Sequence, residues 1–365
     1  MRPLILGNDI YRNSTYGPRH PLAIARIPLL FNLIGALGWL APSQYVETPR
    51  ATPEQIARYH DRDYVAAVML AEAEQRVTPE ITARYNLGKL ENPVYPEMFR
   101  RPATSCGASI HAAELLRDGG VVYSPAGGTH HARRDRAAGF CYFNDPVLGI
   151  LAMLDQGLTR IAYVDIDVHH GDGVELAFAG DSRVLCLSVH EAGRWPNTGL
   201  AEDRAGGSAR NFPVPPGMND SEMDWLADHA LLPLVRGFRP EAIVLQAGSD
   251  ALADDPLGRQ ELSNNALWRV VARLMGVSPR LLVLGGGGYN PWSVARAWAG
   301  VWATLNGHDL PSSLPPAAEA VLRQVTWHRA AGRNPPQYWF TTMVDEPRGG
   351  PVRDEVKRLA DLAYA

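Results

Sequence analysis

Seven short apolar runs punctuate the chain, and most lack the alternation of a half-exposed strand. They lie at 4–6 (LIL), 121–125 (VVYSP), 160–168 (RIAYVDIDV), 184–190 (VLCLSVH), 211–214 (NFPV), 242–248 (AIVLQAG) and 280–286 (RLLVLGG). Runs rich in Val, Ile and Leu without alternation suit strands buried on both faces, as in a parallel sheet covered by helices. Segments of helical period separate them, near 53–76, 104–118, 145–156, 220–236, 263–276 and 292–305. The apolar stretch 27–42 is too short to span a bilayer and is interrupted by Asn32, so it reads as a buried helix. Strands alternating with helices predict an α/β fold with a central, mostly parallel sheet flanked by helices. No linker-like boundary divides residues 1–365, which predicts a single domain, with 307–365 as a strand-poor C-terminal cover ending in a helix near 352–363.

The ends of these runs gather the unusual residues: AGGTHH, DVHHGDG, SVHEAG, QAGSDALADD and GGGGYN. Ligands bind at the carboxyl edge of the strands in parallel α/β sheets, so the site is expected there. If 160–168 is a strand, Asp165, Asp167 and His169 face one way, and Ile166, Val168 and His170 the other. Two carboxylates and an imidazole converging at a strand end repel one another or take up protons unless a cation lies between them. Imidazole among carboxylates favours zinc or another transition metal over magnesium. A catalytic zinc wants three protein ligands and one open position. Asp167 and His169 supply two; Asp250, after another buried strand at the same edge, is the natural third, although alone it also reads as a cap or turn residue. Asp254 and Asp255 read as solvated turn acids.

His130 and His131 follow two glycines that let the backbone approach a pocket floor. Neutral imidazole serves as general base and, once protonated, as general acid. Asp165 and Asp172 are not needed as metal ligands and can each orient one histidine. Gly285 to Gly288 precede Tyr289, but the run is not GxGxxG and lacks a P-loop lysine, which leaves a nucleotide reading weak. A tyrosine hydroxyl beside a metal can donate to a developing oxyanion. HExxH, GxSxG and CxxC are absent, so a thermolysin-like protease or serine hydrolase has no motif support.

Composition excludes other classes. With 46% hydrophobic and 20% charged residues, the chain is not a disordered one. A net charge of -4 gives no general attraction to nucleic acid or anionic membrane. Cys106, Cys141 and Cys186 are odd in number and widely spaced, which fits reduced thiols and a cytoplasmic location. The first residues do not read as a signal peptide.

Taken together the motifs resemble the histone deacetylase family of zinc-dependent deacylases, in particular its bacterial class-I-like and acetoin-utilization branch. The matching segments are HPLAIAR (20–26), YHDRDYV (59–65), ENPV (91–94), PAGGTHHARRDRAAGFCYFND (125–145), YVDIDVHHGDG (163–173), LSVH (187–190), QAGSDALADDPLG (246–258) and LGGGGYN (284–290). The resemblance implies an arginase/deacetylase-like fold, with one zinc ion held by Asp167, His169 and Asp250. It implies His131 as general base and acid backed by Asp172, His130 as its electrostatic partner backed by Asp165, and Tyr289 polarising the acyl carbonyl. Water activated at the zinc would add to the amide carbon, and collapse would follow with protonation of the leaving amine. Gly139, Phe140 and Trp195 would wall a narrow tunnel, Leu257 would form part of its rim, Glu91 would grip substrate backbone, and Arg26 would lie near an internal product channel. A structural potassium ion is implied near Asp165, Asp167, His169, Ser188 and Val189. The implied substrate is an acyl-lysine protein or a related small acyl-amide, with no nucleic-acid or membrane partner. Trp195 replaces a frequent phenylalanine and Glu91 a frequent aspartate, while Leu257 stands where polyamine-preferring members carry glutamate. Two other readings are a binuclear manganese ureohydrolase of arginase type, which needs ligands for a second metal, and a non-catalytic acyl-binding protein, which intact His131 and Tyr289 argue against.

Overall fold

A computed structural model describes residues 2–364. Eight strands form one sheet in the order β2-β1-β3-β8-β7-β4-β5-β6, and every pairing is parallel. They are β1 (Leu4–Gly7), β2 (Tyr45–Glu47), β3 (Gly120–Ser124), β4 (Ile161–Asp165), β5 (Val184–Glu191), β6 (Ala209–Val214), β7 (Ala242–Gln246) and β8 (Arg280–Leu284). The apolar runs account for all but β2, a short edge strand whose Tyr45 and Glu47 are exposed and which therefore carries no hydrophobic signal.

The unalternating runs have the expected cause. In β4, Ala162 and Val164 face one apolar layer, and Ile161 and Tyr163 face the other. The first layer contains the helices Arg26–Ala36, Asn264–Leu274 and Pro291–Asn306; the second contains Arg100–Leu115 and Asp145–Asp155. Fully burying one leucine-sized side chain stabilises by about 1.5–3 kcal/mol, so two covered faces supply the driving force for the whole fold. The helix Pro291–Asn306 buries Trp292, Trp298 and Trp302, and Trp298 Nε1 donates to Ala247 O at 3.1 Å just past β7.

Several expected elements differ in extent. The strand reading at 160–168 stops at Asp165, and residues 166–171 turn irregularly, because the carboxyl groups there take up backbone amides instead of a ladder. The helical span 53–76 breaks into Pro53–Ile56 and Arg62–Glu74, the second beginning after Asp61. The helix expected over 27–42 runs from Arg26 to Ala36. No helix among the described residues is long and apolar enough to cross a membrane.

After Gly307 the chain adds the helices Pro316–Arg323, Tyr338–Thr341 and Asp354–Leu362. Arg353 donates to the buried Glu222 carboxylate at 2.6 and 2.7 Å. Arg296, wholly buried, pairs through Nη1 with Asp345 Oδ1 at 2.5 Å, while its Nε and Nη2 have no partner among the described residues. Removing one partner of a buried ion pair leaves an uncompensated charge. Asp345→Ala is accordingly expected to lower the unfolding free energy by about 3–5 kcal/mol. Chemical denaturation measures this; a loss under about 1 kcal/mol would show that the Arg296 charge is satisfied some other way.

Candidate metal and acyl-transfer site

The four central strands, β3, β8, β7 and β4, each end in a loop that carries part of the site. Asp167 and His169 follow β4, Asp250 follows β7, His130 and His131 follow β3, and Tyr289 follows β8.

Asp167, His169 and Asp250 each offer one ligand atom, and these atoms lie within 4.8 Å of one another. His169 Nδ1 lies 3.1 Å from Asp167 Oδ1 and 3.0 Å from Asp250 Oδ2. The other carboxylate oxygens are held by the backbone: Gly287 N donates to Asp167 Oδ2 at 2.6 Å, and Val168 N to Asp250 Oδ1 at 3.1 Å. Gly287 must be glycine, since a Cβ there would collide with the Asp250 carboxylate.

The electrostatics call for a cation. Burial disfavours charge on the His169 ring, but the hydrogen bonds and charges of Asp167 and Asp250 outweigh it and raise the imidazole to about 10. Burial, and then the Asp167 charge, raises Asp250 to about 6 despite His169. A proton on His169 here meets a demand for positive charge that a divalent ion would meet more fully. Two carboxylates and one imidazole nitrogen form a donor set that fits zinc, with positions left open.

Both histidine–acid pairs are present. His130 Nδ1 lies 2.7 Å from Asp165 Oδ2, which also accepts from Tyr163 Oη at 2.7 Å. His131 Nδ1 lies 2.8 Å from Asp172 Oδ1, leaving Nε2 free of that bond. Burial opposes charge on His130, yet Asp165 and Asp167 prevail and lift it to about 9. Burial and the neighbouring His130 charge push His131 down to about 3, against the pull of Asp172. Adjacent imidazoles with ring centroids 3.9 Å apart thus favour different protonation states, one charged and one neutral.

Tyr289, His130, His131, Gly139 and Phe140, with Asp167 and His169, line a narrow cavity of about 60 Å³. Gly127, Gly128, Arg26, Arg101 and Ser105 line the same cavity. Arg26 Nη1 donates to Gly286 O at 2.7 Å, and its guanidinium lies over Trp298. Burial, then the Asp250 and Asp167 charges, push the Tyr289 phenol well up, so it keeps its proton as a hydrogen-bond donor.

The remaining candidates lie at separate places around the site. Trp195 is 42% exposed, and its ring stands T-shaped to His131 with centroids 4.6 Å apart. Gly139, at φ +54°, lies so close to Trp195 and His131 that a Cβ would come within 2.5 Å of both. Glu91 turns its carboxylate toward that wall, Oε1 accepting from Gly139 N at 2.5 Å. Leu257 packs with the aromatic cluster that includes Tyr289. Ser188 is the ladder partner of Asp165, Val189 follows it, and Ser188 Oγ lies 2.9 Å from His190 Nδ1.

His170 is buried apart from this group, between Thr198 Oγ1 at 2.8 Å and Glu175 Oε2 at 3.1 Å. The reading of Asp254 and Asp255 as solvated acids is corrected. Asp255 is 5% exposed and accepts from Tyr289 N, and Asp254 accepts from Tyr338 and Trp339. Adjacent acids between Ala and Pro carry no sequence mark that distinguishes a turn from a buried staple.

Three supporting residues escaped the sequence reading. Asp145 accepts from the Gly128 and Thr129 amides at 3.0 and 2.8 Å, and Asn144 Nδ2 donates to the carbonyls of His130 and Ala132, fixing the histidine loop. Asn144 also caps the helix Asp145–Asp155, and that Asn-Asp-Pro start was the available signal. Arg133 pairs with Asp172 on the carboxylate oxygen that His131 does not use.

A second metal would need further free acids. Asp165 and Asp172 are already engaged by His130 and His131, and Asp167, His169 and Asp250 form the one metal-competent cluster among the described residues.

Comparison with known proteins bears on the family and the fold. The histone deacetylase domain model matches residues 20–305. Histone deacetylase 9 of Arabidopsis thaliana is 38% identical over 309 residues, covering 82% of this chain and 72% of that protein. Histone deacetylase 1 of Homo sapiens is 33% identical over 311 residues, covering 83% of this chain and 64% of that protein. Among solved structures, an HDAC homolog complexed with SAHA superposes with a TM-score of 0.95 at 35% identity, covering 100% of both chains. An HDAC homolog from Aquifex aeolicus gives 0.94 at 34% identity, again over 100% of both chains. On sequence and fold alike, the chain belongs to the histone deacetylase family.

Proposed function

We propose that the protein is a zinc-dependent amidohydrolase that removes acetyl or another acyl group from a lysine side chain, or from a related small amide. The observation that carries this reading is the convergence of Asp167, His169 and Asp250 beside a narrow cavity that Asp167, His169, His131 and Tyr289 line.

When bound, zinc supplies Lewis acidity, which polarises a carbonyl and makes water a nucleophile near neutral pH. The protein's own groups do the rest. The narrow walls at Gly139 and Phe140 admit a slender acyl-amide and exclude bulk water. Tyr289 donates its phenolic proton in a hydrogen bond to the substrate carbonyl oxygen, where negative charge develops. His131, neutral and held at Nδ1 by Asp172, takes the proton from water at Nε2 and returns it to the departing amine. His130, charged beside Asp165, adds positive potential that favours the anionic intermediate over the neutral substrate. The same proposal places potassium at the β4–β5 corner formed by Asp165, Asp167, His169, Ser188 and Val189; the family resemblance supports it.

Zinc-loaded protein offered acyl-lysine peptides of graded chain length, together with acetylated polyamines, tests the reading. Release of free carboxylic acid and amine is expected. Tight binding of acetyl-lysine without turnover would replace the enzyme reading with an acyl-binding one.

A further inference from the structure

Asp255 accepts two backbone amides, one from its own loop and one from the loop after β8. Its Oδ2 takes the Tyr289 N–H at 2.6 Å, and its Oδ1 takes the Leu257 N–H at 2.9 Å. The group is almost wholly buried. It lies near the Asp250 carboxylate, whose charge opposes its own ionisation. Burying a second acid beside a metal-ligand acid is costly. What the cost secures is a pair of acceptors on one rigid plane. An asparagine has one acceptor oxygen and would turn its NH2 toward one of the two N–H groups.

Asp254 faces the other way. Its Oδ2 accepts from Tyr338 Oη at 2.7 Å and Trp339 Nε1 at 2.8 Å. Its carbonyl accepts from Asn290 Nδ2 at 3.0 Å, and Asn290 Oδ1 caps the helix Pro291–Asn306. The acid pair therefore links three parts: the Leu257 rim, the Tyr289–Asn290 turn, and the helix Tyr338–Thr341 of the C-terminal segment.

We propose that Asp255 is a positioning residue for Tyr289, holding its backbone, and hence its phenol, in register with the Leu257 rim, while Asp254 anchors the same turn to the C-terminal segment. This rests on the reading of Tyr289 as the group that polarises the acyl carbonyl. Four glycines precede Tyr289, so the chain on its N-terminal side is intrinsically permissive and needs an external fixture. A displacement of 1 Å at a reacting group can cost about 100-fold in rate.

The test uses the zinc-loaded full chain and the variants Asp255→Asn, Tyr289→Phe and the double variant. Zinc content, kcat and KM on an acetyl-lysine peptide, and amide hydrogen exchange over 285–290 are measured for each. Asp255→Asn is expected to lower kcat about 10- to 100-fold, with KM within about twofold and zinc retained. In the Tyr289→Phe background the same change is expected to cost less than about twofold in the residual rate, because it acts through a hydroxyl already gone. Exchange at Tyr289 is expected to quicken in Asp255→Asn. Equal losses in both backgrounds, loss of zinc, or unchanged exchange at Tyr289 would each overturn the proposal. Asp255→Ala, read the same way, decides the matter if the asparagine variant misfolds. A wild-type chain that hydrolyses no acyl-lysine would instead sink the deacylase reading, and the exchange measurement would still decide the positioning role.

Discussion

Asp167→Ala is expected to lose bound zinc and, with it, turnover. Asp167 presents Oδ1 to the ligand cluster while Gly287 N holds Oδ2, so its orientation is set before any ion arrives. Without it two ligands remain, one short of the three a catalytic zinc site uses. Loss of a mere supporting partner typically costs about 10- to 100-fold in metal affinity, and loss of a direct ligand should exceed that. Zinc content after dialysis should fall from about one per chain to near zero, with hydrolysis falling to background. Full zinc occupancy in the variant would contradict the ligand assignment. The fold should survive, because the strand that carries this loop ends at Asp165 and keeps both its ladders.

His131→Ala is expected to behave differently. Zinc should be retained, KM should change little, and kcat should fall by about 10²- to 10⁴-fold, the usual contribution of a positioned general base. The structural reason lies in the split between the two rings. Burial and the His130 charge push His131 down to about 3, so it is neutral and able to accept a proton throughout the neutral range. Against its burial, Asp165 and Asp167 raise His130 to about 9, so it favours the charged state and is the poorer base of the two. His130→Ala should consequently be milder in base function and should alter transition-state charge stabilisation instead. Steady-state kinetics at saturating peptide, with zinc measured in the same samples, checks both variants. Undiminished kcat in His131→Ala would remove that residue from the mechanism.

How much of this could be read from the sequence depended on what each residue type signals alone. Buried strands announce themselves through unbroken Val, Ile and Leu runs, and seven of eight were legible; β2 was not, because an edge strand of three residues has no buried face to mark it. Asp167, His169 and Asp250 were legible because acids and imidazoles at the ends of buried strands demand an explanation. Alternation along a strand running to residue 168 groups Asp165, Asp167 and His169, but the strand stops at Asp165. The residues still converge, since Asp165 Oδ1 takes the Asp167 amide at 3.0 Å and Asp167 Oδ1 takes the His169 amide at 3.0 Å, winding the loop around its own acids. Asp255, Asp145 and Arg133 were not legible as site-supporting residues, because their roles depend on distant backbone amides or on Asp172, partners that pattern alone does not place.

Whether a single ion at Asp167, His169 and Asp250 makes this site hydrolytic is decided by its stoichiometry. Chelator-stripped protein is titrated with zinc while acetate release from an acetyl-lysine peptide is followed. No release without metal is predicted, then a linear rise that saturates at one zinc per chain. Full activity in the stripped protein, or a requirement for two metals per chain, would contradict it.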